Sequence, residues 1–356
     1  MRLLVPTAAL AALVLAWWAI AHRGPAPLVV YCAHDSIYSE KILRDFEKRT
    51  GIPVAIRFDT EATKSLGLVE LLVAEKDAPR CDVFWNNELL GTMDLAERGI
   101  LEPYQGAGWQ RMPEKFRDAD GRWTGFAARM RVFIFNPAKI SAEQIPARLN
   151  GDLSRVAIAK PLYGTTLTHY AVLWQMLGAE GAKAWHRGTR ARGIVELNGN
   201  AAVKDAVAGG VCDLGFSDTD DFFEAKDDGK AVAFAPWLAA PAASGLGGGA
   251  HHLTRSPLER PATSAVIAIP NTVAIIHGTK RKADAQKLAD FLLSAEAELT
   301  LARSKSRQIP LGPVAADQLP AEVRELAEWA SESVDLSKLG PARAECLAWL
   351  KAEYAK

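Results

Sequence analysis

The amino-acid sequence predicts a two-lobed α/β protein, each lobe a sheet flanked by helices, with a two-strand hinge between them. Three observations lead there. Short β-branched runs alternate with amphipathic stretches over the first hundred residues, two long apolar β runs stand at 125–137 and 264–276, and a second alternating block lies between those runs. Alternating strands and helices are the pattern of a parallel sheet covered by helices. At 356 residues the chain also exceeds what one hydrophobic core usually serves.

The elements follow in order. After Pro25 and Pro27, LVVYCA is a buried strand, and SIYSEKILRDFEKRTG is a helix with Ile37, Ile42, Leu43 and Phe46 on one face and Gly51 as its stop. IPVAIRF is the second strand, SLGLVELLVAEK the second helix, DVFW the third strand, and LLGTMDLAERG a helix ending at Gly99. GFAARMRVFIFNP, broken by Pro137, carries the chain out of the first lobe. The second block holds VAIAKP (strand), THYAVLWQMLG and AAVKDAVAGG (helices) and VCDLGFS (strand). GLGGGAHH reads as a mobile loop, since its glycines cannot hold a packed element. SAVIAIPNTVAII is the return crossing, and ADAQKLADFLLSAEAELTLA opens a helical tail. The expected boundaries are 28–128 plus 272–356 for lobe 1, 129–262 for lobe 2 and 263–271 for the hinge crossing.

The first 21 residues stand apart. Arg2 precedes LLVPTAALAALVLAWWAIA, and the next charged residue is Arg23. A basic residue, an apolar run and the small-x-small site Ala19-Ile20-Ala21 make a secretory signal cleaved after Ala21. The run approaches the ~20 residues that span a bilayer, so an uncleaved anchor is the alternative. Both place the rest of the chain in the periplasm or otherwise outside the cytoplasm. No Cys closes the run, so a lipid-modified N-terminus is not indicated. The 42 Lys+Arg balance 42 Asp+Glu, leaving no long-range field to draw in nucleic acid. Cys32, Cys81, Cys212 and Cys346 show neither CxxC nor metal-ligand spacing and read as buried small apolar residues, although an oxidising compartment permits disulfides.

Candidate binding chemistry gathers in the second block. Gly164, Thr165 and Thr166 precede an amphipathic helix, whose unpaired N–H groups and positive dipole end suit an anion; a plain N-cap is the alternative. Leu197-Asn198-Gly199-Asn200 repeats that arrangement before the next helix. Asp218, Asp220 and Asp221 put three carboxylates at the end of a strand, where they repel one another unless a cation, donors or water compensate. Strand carboxyl ends are where open α/β sheets bind ligands, and an exposed helix-capping cluster is the alternative. Alternation in the first crossing places Arg129 and Arg131 on one face, where two guanidinium groups can grip a carboxylate or phosphate. Tyr31, Tyr38 and Tyr163 either offer phenols or pack amphipathically. His251-His252 in the glycine loop lacks an i, i+4 partner. No GxSxG, Walker A, HExxH or dinucleotide fingerprint is present, so no catalysis is expected; a hydrolase using Asp220 or Asp221 as base is the minor alternative.

The order of VVYCAHDSIYSEKILRDFEKRTGIPV, PRCDVFW with LAERGILEPY, the first crossing, NGNAAVKDAVAGGVCDLGFSDTDD, ADFLLSAEAELTLA and SRQIPLGPV resembles the periplasmic substrate-binding proteins of ABC importers. It is most similar to their iron(III)-binding branch, extracellular solute-binding family 1. The resemblance implies the type II periplasmic-binding-protein fold and a monomer that closes two lobes on a solute and presents it to an ABC transporter permease. It implies no cofactor, only a bound metal ion with phosphate or carbonate as cargo. By the same resemblance, the segments around Thr165, Thr166 and Asn198 hold that anion. His34 or Asp35 falls where the family carries a metal-binding His, and Asn87 and Glu88 fall near its acidic ligand. Arg129, Tyr163 and Asp221 complete the expected ligand-binding set. The branch's adjacent tyrosines are replaced here by Asp218 to Asp221, so phenolate coordination is lost at that place. Metal ligation by Asp35, Asp218 and Asp220 is oxygen-rich, which also suits calcium, magnesium or an ammonium group. The expected ligand is iron(III) or another metal with a bridging anion; the alternative is a small phosphorylated, phosphonate or zwitterionic solute, its positive end at Asp218 and Asp220. Replacing those two residues by Ala is expected to leave folding intact and weaken binding.

Overall fold

The computed structural model describes residues 26–59, 66–239 and 265–356. The expected signal segment, His251-His252 with its glycine loop, and the join of lobe 2 to the hinge crossing lie outside them. The first block runs β1 (Leu28–Cys32), α1 (Ser36–Thr50), β2 (Val54–Phe58), α2 (Leu66–Ala74), β3 (Val83–Asn86), α3 (Leu90–Glu97), β4 (Leu101–Glu102) and α4 (Ala107–Arg111). The first crossing is β5 (Thr124–Phe135). The second block holds α5 (Ile145–Asn150), β6 (Val156–Ala159), α6 (Gly164–Ala191), β7 (Val195–Leu197), α7 (Asn200–Ala208), β8 (Leu214–Asp218), α8 (Thr219–Asp227), β9 (Ala233–Pro236) and β10 (Leu238–Ala239). The chain returns through β11 (Ala265–Val266) and β12 (Ala268–Ile276) to α9 (Lys282–Leu292), α10 (Ala295–Ala302), α11 (Ala321–Ser331) and α12 (Gly340–Tyr354).

The main sheet has the order β2-β1-β3-β12-β5-β8-β6-β7, with β4 added to β12 and β9 to β5. Its two ends are parallel, as helix-connected strands must be, and its middle, β3-β12-β5-β8, is antiparallel. Every residue of β5 is buried. Its first half pairs with β12 and its second with β8 and β9, so β5 belongs to both blocks. Opposite faces of the sheet are served by neighbouring residues: Phe84 and Phe133 enter one apolar cluster, Trp85 and Ile134 the other.

Two local readings change. Ile37 is 75% exposed, whereas Ile42, Leu43 and Phe46 are buried. At ~100° per residue Ile37 stands about 120° to 180° around α1 from those three, so it belongs to the solvent face. The helix expected to end at Gly178 only kinks there, and α6 continues to Ala191. Its continuation is covered by α12, whose Trp349 ring lies 5.3 Å from that of His186, while Arg343 of α12 pairs with Asp94 and Glu97 of α3. The tail thus touches both blocks. All four cysteines are free and buried, and burial pushes the Cys32 and Cys346 thiols up to about 12. No helix among the described residues is long and apolar enough to cross a membrane.

Phe133 is 1% exposed and meets Phe216 at 4.9 Å between ring centroids. Phe133→Ala is expected to cost about 3–5 kcal/mol, read from urea denaturation midpoints.

Candidate functional site

A cleft of about 160 Å³ accessible to water opens at the carboxyl ends of the strands. The loop after β1 supplies His34 and Asp35, and the one after β3 supplies Asn87. Lys160, Tyr163 and the start of α6 follow β6, Asn198 and the start of α7 follow β7, and the end of β8 brings Asp218, Asp220 and Asp221. Arg129 enters from β5 and Gln308 from the segment after α10. A water takes about 30 Å³ in the liquid, so the space holds several water-sized groups. That accommodates a metal with a polyatomic anion or a small organic solute.

Asp218 is the hub of the floor. It is 1% exposed, as is Arg131, whose Nη1 donates to its Oδ1 at 2.8 Å. Its Oδ2 accepts from Thr165 Oγ1 at 2.6 Å and Asn200 Nδ2 at 2.8 Å. Arg129 Nε lies 3.5 Å from Asp218 and 3.7 Å from Asp220, so both arginines face the acidic strand end, as alternation predicts. Asp218 stands at the N-cap position of α8, yet its carboxylate makes no cap bond. It is spent on the arginine and on the first residues of α6 and α7 instead.

Asp220 and Asp221 occupy the first turn of α8, and ligand oxygens of Asp218, Asp220 and Asp221 lie within 4.8 Å of one another. Burial lifts the Asp220 carboxyl to about 6; Arg129 pulls against that, and Asp218 and Asp35 add to it. Burial and the charge of Asp220 push Asp221 well above the carboxylate range, although Ser217 Oγ donates to it at 2.8 Å. Across the cleft, burial lowers the His34 imidazole to about 4, so it is neutral at pH 7. Its Nε2 lies 2.6 Å from Gln308 Nε2 and must be the acceptor, which makes Nδ1 the donor to the Asp35 carbonyl at 3.3 Å.

Two helix starts complete the wall. Gly164 opens α6 with φ 60° and Gly199 caps α7 with φ 97°, conformations that glycine adopts without penalty. Neither start has a side-chain cap. The Thr165 hydroxyl is committed to Asp218, and Thr166 Oγ1 donates to Asn200 Oδ1 at 3.3 Å. An anion here would therefore be held by the backbone N–H groups that open each helix, with Lys160 and Arg129 beside them.

Of the site residues expected from sequence, His34, Asp35, Asn87, Arg129, Tyr163, Thr165, Thr166, Asn198, Asp218, Asp220 and Asp221 line this cleft. Glu88 does not. Its carboxylate turns back to accept the N–H groups of Leu90 at 2.6 Å and Gly91 at 2.7 Å, capping its own helix. Tyr31 donates to Glu75 at 2.9 Å, away from the site, and Tyr38 packs edge-on against His34. Lys160 and Gln308 were not anticipated. Lys160 directly precedes the predicted anion segment, so proximity was a usable signal, whereas Gln308 joins His34 from 274 residues away and carries no local signature.

For Ala at position 218 this geometry leads to a different expectation, because that change strands the buried Arg131 charge. Asp218→Ala is expected to cost about 3–5 kcal/mol in chemical denaturation. Asp220→Asn should act oppositely in the ligand-free protein. A carboxyl raised from 3.8 to about 6 contributes stability below 3.8 that is lost as pH rises through 6. The Asn variant should therefore melt higher than the parent at pH 7.5 and no higher at pH 4 in scanning calorimetry.

A family model described as bacterial extracellular solute-binding protein matches residues 28–304. The Fe(3+)-binding periplasmic protein of Serratia marcescens is 29% identical over 216 residues, 59% of this chain, and the match spans only 62% of that protein's length. Iron uptake protein A1 of a Synechocystis species is 27% identical over 312 residues, 84% of this chain and 79% of that one. Among solved structures, iron-bound HitA from Pseudomonas aeruginosa superposes with a TM-score of 0.73 at 20% identity, covering 92% of this chain and 99% of its own. That likeness establishes the two-lobed periplasmic-binding-protein fold. The chain belongs to the bacterial extracellular solute-binding protein family, a family of binding proteins rather than enzymes.

Proposed function

We propose that this protein is the extracytoplasmic solute-binding component of an ABC importer, capturing iron(III) or another hard metal with a bridging anion and delivering it to a membrane permease. The observation that carries this reading is the juxtaposition in one cleft of the carboxylate cluster and two helix starts rich in free amides. A cation between Asp220, Asp221 and Asp35 would relieve the repulsion that burial imposes on them. Phosphate or carbonate would take the amides of α6 and α7 with Lys160 and Arg129, and would complete the metal shell from the other side. Asp218, held by Arg131, Thr165 and Asn200, serves this arrangement as the group that fixes both helix starts. The names of the Serratia and Synechocystis relatives support iron as the cargo. The lobes are read as 28–128 with 272–356 and as 129–262, with β5 and β12 as hinge strands. A secretory signal over 1–21 and action as a monomer belong to the same reading.

One observation favours a second ligand class. Asp218 has both oxygens engaged within the protein, which leaves a metal one carboxylate fewer, while Lys160 and Arg129 add two cations. A small phosphorylated, phosphonate or zwitterionic solute would use the same amides and place its positive end at Asp220.

Native mass spectrometry with metal analysis of protein purified without chelators separates the two. One metal per chain with an inorganic anion adduct is expected; an organic adduct without metal would replace the first reading with the second. Asp220→Asn together with Asp221→Asn should weaken iron(III) binding at least tenfold in a chelator competition assay. A panel of phosphate esters should remain unhydrolysed, and sustained turnover would overturn the binding-protein reading altogether.

A further inference from the structure

The two hinge strands meet at an irregularity. Pro270 of β12 faces Ala128 and Asn271 faces Phe126, so Ala127 is a bulged residue without a partner in the register. Its φ is 42°, a left-handed value that glycine takes in such bulges and alanine resists. Arg307 has φ 43°, and among the described residues these are the two non-glycine positions with positive φ. They flank one bridge: Ala128 and Ile309 exchange N–H to carbonyl bonds of 2.7 Å in both directions. Strain gathered at one junction persists only when its surroundings hold it.

The holding groups are visible. The Ala127 N–H donates to Glu298 Oε1 at 2.9 Å, and the fully buried Glu298 carboxylate also accepts from Leu311 N–H at 2.8 Å and Arg111 Nη1 at 2.6 Å. The Ala127 carbonyl accepts from Asn271 Nδ2. Asn271 Nδ2 donates also to Gln308 Oε1 at 2.8 Å, and Gln308 Nε2 donates to His34 Nε2 at 2.6 Å. Asn271 Oδ1 in turn accepts from Trp85 Nε1 at 3.3 Å, which fixes the orientation of its amide. His34, Gln308 and Asn271 are 4%, 1% and 0% exposed, so water does not substitute for these bonds.

We propose that Gln308 is a positioning residue that ties the cleft wall at His34 to the strained hinge at Ala127. A solute that engages His34 Nε2 must displace the Gln308 amide, and the loss passes through Asn271 to the carbonyl of Ala127. Cleft occupancy is thereby read by the backbone that must bend for the lobes to move. The use of this link rests on the cleft being the binding site, but the link itself is testable without any ligand.

The test is hydrogen exchange of the Ala127 and Ala128 amides in the ligand-free protein. His34→Leu removes the acceptor and is expected to speed their exchange at least tenfold. His34→Gln keeps an acceptor and should stay within twofold of the parent. Combining His34→Leu with Gln308→Leu should add nothing to Gln308→Leu alone, because both cut one chain. Should His34→Leu not fold, Gln308→Leu against His34→Gln supplies the same contrast. Hinge amides within twofold of the parent in the Leu variants, or effects of the two that multiply, would overturn the proposal. Those outcomes leave the mass-spectrometric test of the bound solute untouched, so the two readings fail separately.

Discussion

Everything in the cleft depends on the buried pair of Asp218 and Arg131. Two ions at 1% exposure give up hydration worth several kcal/mol each, and their attraction offsets it only with good geometry and further bonds. Here those bonds come from Thr165 and Asn200, the first residues able to reach it from α6 and α7. One carboxylate thus joins the crossing strand β5, the end of β8 and the starts of two helices. The interaction is worth more as a fixture of position than as a source of stability.

That fixture decides what the surrounding groups can do. Because the side chains of Thr165 and Thr166 are engaged inward, the helix starts turn backbone amides to the cleft beside Lys160 and Arg129, and the direction of those amides is set by the helices and cannot rotate away. Asp220 and Asp221 then stand opposite as carboxylates that burial has made reluctant to ionise. The cleft thus sets fixed donors on one wall against closely spaced acidic groups on the other.

The pairing of β5 with β12 follows a similar logic of held strain. β5 and β12 could pair in unbroken register, but the register shifts at Ala127 and then resumes through Met130 before β5 goes on to pair with β8, and bulges increase local twist. The conformation is costly for alanine, and Glu298 and Asn271 bond both its N–H and its carbonyl. The cleft wall and this junction are therefore linked through Gln308 and Asn271.

Sequence alone determined the elements and their order, because hydrophobic period and helix stops are local properties: LVVYC, VFWN and LGFSD formed strands, and the segment after Gly199 formed a helix. It also indicated most cleft residues, since strand carboxyl ends and helix starts follow from that order. Ile37 and Gly178 were misjudged where a short apolar match or a single glycine was weighed without the neighbours that cover each face. Tertiary structure alone decided how the polar side chains are spent. Glu88 turned to its own helix start, Asp218 was taken by Arg131, and Gln308 reached His34 from the far end of the chain. Hydrogen-bond partners of a buried polar group are chosen by whatever folding brings within about 3 Å, and sequence spacing carries no record of that distance.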